Sequence, residues 1–298
     1  MAMKLKEIIF KNAEKLKTAG IPNAYKESEF LLLLALNRSQ AWLYVNKNLK
    51  LSFKKRKKIN YFVKKRLQGL PLAYIAGYQE FYGIKFFVNK NVLIPRPETE
   101  LIVEEVLKKA KKNTPNCIVD IGTGSGAIIV SLAKKIKKPK IKFWGTDISA
   151  KALYVARKNA GFAGVNQKIT FSKGDLLKPI FQKTFFNRCL QKENSYLIIT
   201  ANLPYLSFQE YKAEKSIAFE PSLALVAGKD GLKIYKDFFK QAEKLKKIFK
   251  NKKITLIIEF NPSQTNKLKK IIIKRLPLAK LEIKKDLAGL KRLMVINF

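Results

Sequence analysis

The 298-residue sequence contains no histidine, and this absence excludes several kinds of chemistry. Without imidazole there is no Ser-His-Asp or Cys-His arrangement, no histidine general base and no histidine ligand for a metal. Cys117 and Cys189 are the only cysteines, and two thiols so far apart in the sequence predict neither a metal site nor a disulfide framework. So few cysteines are typical of a reducing compartment. Any catalysis must therefore use carboxylates, amides, hydroxyls, lysine or a bound cofactor.

Long apolar runs are also missing. The longest, residues 31–36, is far shorter than the roughly 20 residues that a transmembrane helix needs. Residues 1–17 lack the long apolar region and small-residue cleavage site of a secretion signal. Hydrophobic residues make up 47% of the chain, and 298 residues are enough for two domains with sizeable cores. We therefore expect a globular, cytoplasmic protein without a membrane partner.

Acidic residues are scarce, since 22 Asp and Glu face 61 Lys and Arg and give a formal net charge of +39. One interpretation is a partner rich in phosphate, such as RNA or a ribosome-bound complex. The other is a compositional bias of the coding sequence, because the lysines are scattered along the whole chain and form no single stripe with interleaved aromatic residues. The scattered pattern favours the second interpretation, with only a weak attraction to nucleic acid or ribosomes through charge.

The pattern of apolar residues divides the chain into three segments. Residues 1–70 show helical spacing and predict a small all-α N-terminal domain, which ends in a basic amphipathic helix. Residues 71–97 alternate aromatic and β-branched residues with glycines, which predicts a β-hairpin connector. From residue 98 helices and strands alternate, which indicates an α/β domain with a mostly parallel sheet. The last two predicted strands are close enough in sequence to form an antiparallel pair at one edge. The seven predicted strands are residues 117–121, 141–148, 168–175, 196–203, 253–260, 280–286 and 292–298.

A glycine-rich loop follows the first strand of this α/β domain. In IVDIGTGSGAIIVSLA, residues 118–133, the strand ends at Asp120 and a helix begins near Ala127. Gly122, Gly124 and Gly126 would let the backbone turn tightly and approach a ligand closely. A turn without a ligand is the alternative, but three alternate glycines disfavour it. The spacing G-x-G-x-G differs from the G-x-G-x-x-G of dinucleotide folds, which disfavours NAD.

Acidic residues also end the next two strands. Asp147 follows the second strand and can accept hydrogen bonds from ribose hydroxyls, and Asp175 follows the third, where it can lie beside an adenine amino group. Each alone is more often a turn or helix cap. Three acids at successive strand ends, with the glycine loop, resemble the Rossmann-like class of S-adenosylmethionine-dependent methyltransferases. This resemblance implies S-adenosylmethionine as the cofactor and a methyl acceptor at the end of the fourth strand.

The fourth strand runs into ITANLPYLS, residues 199–207. A planar NH2 group is a poor nucleophile, and two hydrogen-bond acceptors would orient it and favour the positive charge that develops on nitrogen. The side-chain oxygen of Asn202 is one such acceptor, and the carbonyl of Leu203, held extended by the following Pro204, is the other. Tyr205 offers a flat wall for a planar group. The alternative is an ordinary strand-ending turn, since Asn and Pro are common in turns.

Several motifs in order make the resemblance more specific. They are VLIPRPETELIVEEVL, DIGTGSGAI, DISAKALYVARKNA, GDLL, ANLPYL, FEPSLALVAGKDGLKIY and KDLAGLKRLMVINF, and together they resemble the HemK/PrmC family over nearly the whole chain. The resemblance implies transfer of a methyl group to the side-chain nitrogen (N5) of the glutamine in the Gly-Gly-Gln loop of peptide-chain release factors. It also implies that residues 1–70 dock the substrate and residues 98–298 form the catalytic domain. Other acceptors remain open, namely a ribosomal-protein glutamine or an amino group of a nucleobase, as does a binding module without catalysis.

Matching motifs carry the family's roles onto residues of this chain. Asn202, Leu203, Pro204 and Tyr205 are expected to be catalytic and to bind the substrate amide, with Arg96 nearby. Leu203 replaces the proline usual there, which keeps the carbonyl and makes the loop less rigid, and residues 259–261 replace a commoner Glu-Ile-Gly. The expected cofactor-binding residues are Asp120, Gly122, Thr123, Gly124, Ser125, Gly126, Asp147, Asp175, Leu176 and Asn202.

Overall fold

The computed structural model describes residues 3–191 and 194–298 and divides into two compact units, Met1–Gly77 and Tyr78–Phe298. The first unit is helical, as predicted, apart from one pair of two-residue strands. Its core is built from apolar residues at helical spacing, among them the fully buried Leu5, Leu16 and Leu31. The helices are α1 Leu5–Thr18, α2 Ala24–Leu36, α3 Gln40–Val45, α4 Phe53–Leu67 and α5 Leu72–Ala76, and the strands are β1 Met3–Lys4 and β2 Lys50–Leu51.

The predicted hairpin begins later than its sequence pattern suggested. Residues Leu72–Ala76 form α5 instead, because Pro71 precedes the helix with a fixed φ and Gly77 ends it in the left-handed region at φ 78°. The hairpin itself consists of β3 Tyr78–Phe81 and β4 Ile84–Phe87, paired antiparallel. It belongs to the second compact unit, where the backbone of Phe87 exchanges two hydrogen bonds with the side chain of Asn159.

The second unit contains a seven-stranded sheet in the order β10-β11-β9-β8-β5-β6-β7. Neighbouring strands from β9 to β7 are parallel, whereas β11 is antiparallel to both β9 and the edge strand β10. The predicted fold class is therefore confirmed, including the antiparallel pair at one edge. The strands are β5 Cys117–Ile121, β6 Lys142–Asp147, β7 Ile169–Lys173, β8 Tyr196–Ala201, β9 Lys253–Glu259, β10 Lys280–Lys285 and β11 Lys291–Asn297. The helices are α6 Glu100–Lys112, α7 Ala127–Lys135, α8 Ala150–Phe162, α9 Lys183–Cys189, α10 Phe208–Ala213, α11 Lys233–Ile248 and α12 Thr265–Arg275.

The central strands are buried on both faces, which explains why they read as continuous apolar runs rather than alternating ones. Two apolar clusters cover the sheet, one on each face. The register places Asp120 opposite both Gly145 and Thr200, and Ile121 opposite Ala201. The carboxyl ends of β5, β6 and β8 therefore meet at one edge, which is where open α/β sheets bind ligands.

The polar and aromatic stretch 181–195 has a sequence typical of a surface loop with some helix, and its helical part is α9. Residues 192 and 193 of this stretch lie outside the described residues. Phe185 and Cys189, one helical turn apart, are buried against the sheet, so the stretch contributes more to the core than a surface loop does. The thiol of Cys189 lies 2.6 Å from that of Cys117 in β5, and both cysteines are free. Burial raises the pKa of the Cys117 thiol.

Across residues 3–191 and 194–298, none of the helices combines the length and the apolar character needed to cross a bilayer.

Candidate active site

A cavity opens at the carboxyl edge of the sheet and encloses about 990 Å³ of space, including the part open to solvent. That size is ordinary for a small-molecule site. Its walls come from the glycine loop, the ends of β6, β7 and β8, the start of α8, the segment before α6, residues 221–224 and the start of α11. Eight residues predicted from the sequence line it: Gly122, Gly124, Asp147, Asp175, Leu176, Asn202, Leu203 and Pro204.

The glycine loop turns in a conformation that side chains disfavour. Gly122, Gly124 and Gly126 all have positive φ, between 55° and 81°. A Cβ added to Gly122 would lie 3.3 Å from the end of the Leu203 side chain, so both this tight contact and the positive φ favour glycine here. A Cβ on Gly124 would find only a carbonyl at 3.9 Å and would otherwise project into open space. The loop thus presents backbone to the cavity and leaves room beside it.

Asp147 connects the glycine loop to α8. One carboxylate oxygen accepts the backbone N–H of Gly124 at 2.9 Å, and the other accepts the N–H of Ser149 at 2.8 Å. Burial raises the pKa of Asp147, although these backbone hydrogen bonds oppose the shift. Each carboxylate oxygen has a second lone pair, so Asp147 can also accept hydroxyls of a bound ligand.

Replacing Asp147 with alanine is expected to weaken S-adenosylmethionine binding at least about 10-fold, since a hydrogen bond to a charged group contributes roughly 1.5–3 kcal/mol. Isothermal titration calorimetry measures this change directly. Asp230→Ala is the matched control, because Asp230 also accepts the N–H of the residue two positions on and is not among the residues lining this cavity. Equal losses in the two variants would show that the acid acts only as a loop cap.

Four other predicted cofactor residues lie behind the cavity wall rather than on it. Asp120 is buried beneath the loop and accepts hydrogen bonds from the hydroxyls of Thr123 and Thr200, at 2.7 and 2.8 Å. Burial raises the pKa of Asp120 to about 7. The Ser125 carbonyl accepts a hydrogen bond from the Asn159 side-chain nitrogen at 2.8 Å, and Gly126 is the N-cap residue of α7. These residues support the loop from inside the fold.

The loop after β7 carries Asp175 and Leu176. Asp175 is partly exposed and pairs with Lys178 at 2.8 Å. Leu176 has a positive φ of 52°, which is unusual for a residue with a branched side chain. The side-chain oxygen of Gln241 holds the next backbone N–H, that of Leu177, at 2.9 Å. A strained residue in a cavity wall is a common feature of ligand sites.

The sequence Asn202-Leu203-Pro204-Tyr205 leaves β8 and enters the rim of the cavity. The Asn202 amide nitrogen donates to the Thr99 hydroxyl at 2.9 Å. Within residues 3–191 and 194–298, neither the Asn202 side-chain oxygen nor the Leu203 carbonyl oxygen is engaged in a hydrogen bond. Tyr205 does not line the cavity, and burial raises its pKa to about 12. Two uncharged oxygen acceptors, on adjacent residues of the cavity lining, are therefore left without a hydrogen-bond partner in the described parts of the chain.

Residues without a predicted role hold this rim in place. The hydroxyl of the fully buried Tyr235 donates to the Glu259 carbonyl and lies beside the backbone of Leu203. The side-chain nitrogen of Gln264 donates to the Tyr205 carbonyl at 2.9 Å. Tyr235 lies in α11 and is the last residue of the motif FEPSLALVAGKDGLKIY, whereas Gln264 lies in the turn before α12, outside the quoted motifs. Their contacts depend on tertiary structure.

Arg96 was expected near the substrate, and the structure pairs its guanidinium with the buried carboxylate of Glu220. The same carboxylate accepts the backbone N–H of Ile94 at 2.9 Å. Glu220 thus anchors the segment that supplies residues 91–93 to the cavity wall, while Pro221 lines the wall itself. Glu220 and Pro221 belong to the motif FEPSLALVAGKDGLKIY, and these contacts give the two residues a structural role.

These features fit S-adenosylmethionine. A backbone cradle without side chains suits a ligand that lies against the glycine loop, and Asp147 at the second strand suits ribose hydroxyls. Asp175 and Leu176 provide a polar and an apolar group at the third strand.

Comparison with known proteins agrees with this arrangement. A family model described as "PrmC N-terminal domain" matches residues 9–77, and one described as "Methyltransferase domain" matches residues 118–207. Curated relatives named "Release factor glutamine methyltransferase" match most of the chain. The relative from Bacillus cereus is 32% identical over 271 residues, covering 89% of this chain and 90% of its own length. The relative from Dictyoglomus turgidum is 33% identical over 273 residues, covering 91% and 90%.

A higher identity occurs over a shorter match with the relative from Bacillus subtilis, which is 38% identical over 231 residues and covers 76% of this chain and 74% of its own. Among solved structures, the hMettl16 catalytic domain in complex with MAT2A 3′UTR hairpin 1 superposes with a TM-score of 0.55. It is 15% identical and covers 85% of this chain and 84% of its own, so it shares the fold.

Proposed function

Since this chain belongs to the release factor glutamine methyltransferase family, we propose that it methylates the side-chain nitrogen (N5) of the glutamine in the Gly-Gly-Gln loop of peptide-chain release factors. As a member of that family it is an S-adenosylmethionine-dependent protein-glutamine methyltransferase. The release factor is its protein partner in this proposal. The single observation that carries the choice of acceptor is the pair of unengaged oxygens on Asn202 and Leu203 at the cavity rim.

The proposed role of this pair follows from the chemistry of a carboxamide. When bound, S-adenosylmethionine supplies an electrophilic methyl group on a sulfonium, which the protein does not need to activate further. The lone pair of an amide nitrogen is delocalised, so the chain's task is to orient that nitrogen and stabilise its developing positive charge. Asn202 and the Leu203 carbonyl accept its two N–H groups, and one proton leaves for solvent after transfer. Neither acceptor carries a charge that would need to be desolvated.

The remaining residues have supporting roles in the proposal. Gly122 to Gly126 hold the methionine and ribose part of the cofactor, Asp147 holds the ribose, and Asp175 with Leu176 flanks the adenine. Pro204 lines the substrate pocket, and Tyr205 supports the rim from behind it. Arg96 acts through its pair with Glu220, which shapes the segment beside that pocket.

We assign one function to each of the three segments predicted from the sequence. Residues 1–70 dock the release factor, residues 71–97 connect, and residues 98–298 carry the transfer. Release factors act on ribosomes in the cytoplasm, and we place this protein there as well.

The test is a transfer assay with methyl-labelled S-adenosylmethionine and three substrates in parallel. These are a release factor, the same factor with its Gly-Gly-Gln glutamine replaced by alanine, and a mixture of RNA and DNA. Label is expected on the first alone, at the glutamine side chain when the protein is digested and mapped. Label that persists on the alanine factor, or that appears on nucleic acid, would overturn the proposal.

A further inference from the structure

A buried hydrogen-bonded chain leads away from the cavity behind Asn202. The Asn202 amide nitrogen donates to the Thr99 hydroxyl at 2.9 Å, and the Thr99 hydroxyl donates to a carboxylate oxygen of Glu259 at 2.7 Å. Thr99 and Glu259 are 5% and 2% exposed, and neither lines the cavity. They come from the turn before α6 and from the last residue of β9, so three separate parts of the sequence meet here.

The number of protons on each group determines which one donates in these two hydrogen bonds. An ionised carboxylate only accepts hydrogen bonds, so the single proton of the Thr99 hydroxyl must point to Glu259. The Thr99 oxygen is then left as an acceptor, and only the NH2 side of the Asn202 amide can satisfy it. The amide oxygen must therefore face the opposite way, toward the cavity rim.

We propose that Thr99 and Glu259 are positioning residues that fix the orientation of the Asn202 amide, so that its oxygen rather than its NH2 group faces the substrate. This inference rests on the proposed function, in which Asn202 accepts an N–H of the glutamine side chain. With the amide reversed, two NH2 groups would face each other and the substrate nitrogen would lose one of its two acceptors. An asparagine side chain has nearly the same shape in either orientation, and packing alone therefore does not select one.

The charge state of Glu259 controls which way the hydrogen bonds between Glu259, Thr99 and Asn202 point. Burial, and to a smaller extent nearby Glu98, raise its pKa to about 7, although Thr99, Arg292 and Asn202 oppose the shift. The phenols of Tyr205 and Tyr235 also face this carboxylate, and burial keeps both protonated. Above about pH 7 Glu259 is ionised and accepts from Thr99. As the pH falls through this value the protonated carboxyl can donate to Thr99, which frees the threonine proton to reach the Asn202 oxygen. Turnover should therefore decline on the acid side.

Three variants test the proposal by steady-state kinetics with a release factor. Thr99→Val removes the hydroxyl at nearly constant volume, and kcat is expected to fall about 10- to 100-fold, as for a misplaced catalytic group. The Kd for S-adenosylmethionine should stay unchanged by calorimetry. Thr99→Ser restores the hydroxyl and should recover most of the activity. Glu259→Gln should lower kcat and remove the acid limb of the kcat–pH profile near pH 7.

Opposite results are equally informative. Wild-type kcat in Thr99→Val, or equal losses in Thr99→Val and Thr99→Ser, would overturn the role of Thr99. A wild-type profile that is flat from about pH 6 to 8.5 would overturn the role of Glu259, and this measurement needs no variant to fold. If these variants behave like wild type while Asn202→Ala is inactive, only this inference fails. If Asn202→Ala itself is active, the proposed function fails with it.

Discussion

Replacing Asn202 with alanine is expected to reduce kcat for release-factor methylation by about 100- to 1,000-fold, the usual cost of removing one preorganised polar contact to a developing charge. The Asn202 oxygen faces the cavity without a hydrogen-bond partner in the described parts of the chain, so it is available to the substrate. The Kd for S-adenosylmethionine should remain within about twofold, because the proposed polar contacts to the cofactor are made by Asp147 and the glycine loop. Single-turnover transfer and calorimetry measure the two quantities separately.

Asn202→Asp is the companion variant. It keeps the size of the side chain and replaces the neutral amide with a charge, and it also removes the NH2 group that donates to Thr99. A second carboxyl would then share the buried site with Glu259, which is unfavourable unless one of the two is protonated. We expect this variant to be poorly active near neutral pH. A parallel loss of cofactor binding in Asn202→Ala would instead make Asn202 a cofactor residue first, contrary to the proposed role.

Gly231→Ala is expected to lower the free energy of unfolding by about 2–4 kcal/mol and to impair transfer as well. Gly231 has a φ of 67°, and a Cβ built there would overlap the Tyr205 carbonyl oxygen and lie 2.6 Å from the Gln264 side-chain nitrogen. That nitrogen donates to the Tyr205 carbonyl, so relieving the overlap must displace the loop that carries Asn202. Urea denaturation followed by circular dichroism measures the stability change.

Gly164→Ala is the matched control for this prediction. Gly164 has a similar φ of 72°, but a Cβ there would meet no atom within 4 Å. This control therefore isolates the backbone cost, expected at about 1 kcal/mol, from the steric overlap. Its catalytic activity should be unchanged. Equal destabilisation in the two variants would mean that the loop at Tyr205 moves freely to accommodate a methyl group.

Many residues of the cavity lining could be predicted from the sequence because they follow the ends of strands. The glycine loop, Asp147, Asp175 and Asn202 each follow an apolar run, and a parallel sheet brings such positions to one edge regardless of the loops between them. The fold class could be predicted for a similar reason, because alternating helices and strands are compatible with few sheet topologies. The hairpin was placed too early because local alternation is ambiguous beside Pro71 and Gly77.

The sequence by itself determined the sheet, the glycine loop and the order of strand-end polar residues, because periodicity and backbone preference act over neighbouring positions. Only the tertiary structure decided what surrounds Asn202. Thr99 and Glu259 lie 160 residues apart, and their hydrogen bond exists because the start of α6 packs against the end of β9. Likewise Glu220 reaches Ile94 over 126 residues. A buried carboxylate is a strong hydrogen-bond acceptor with few available partners. Its position in the fold therefore determines which groups it orients.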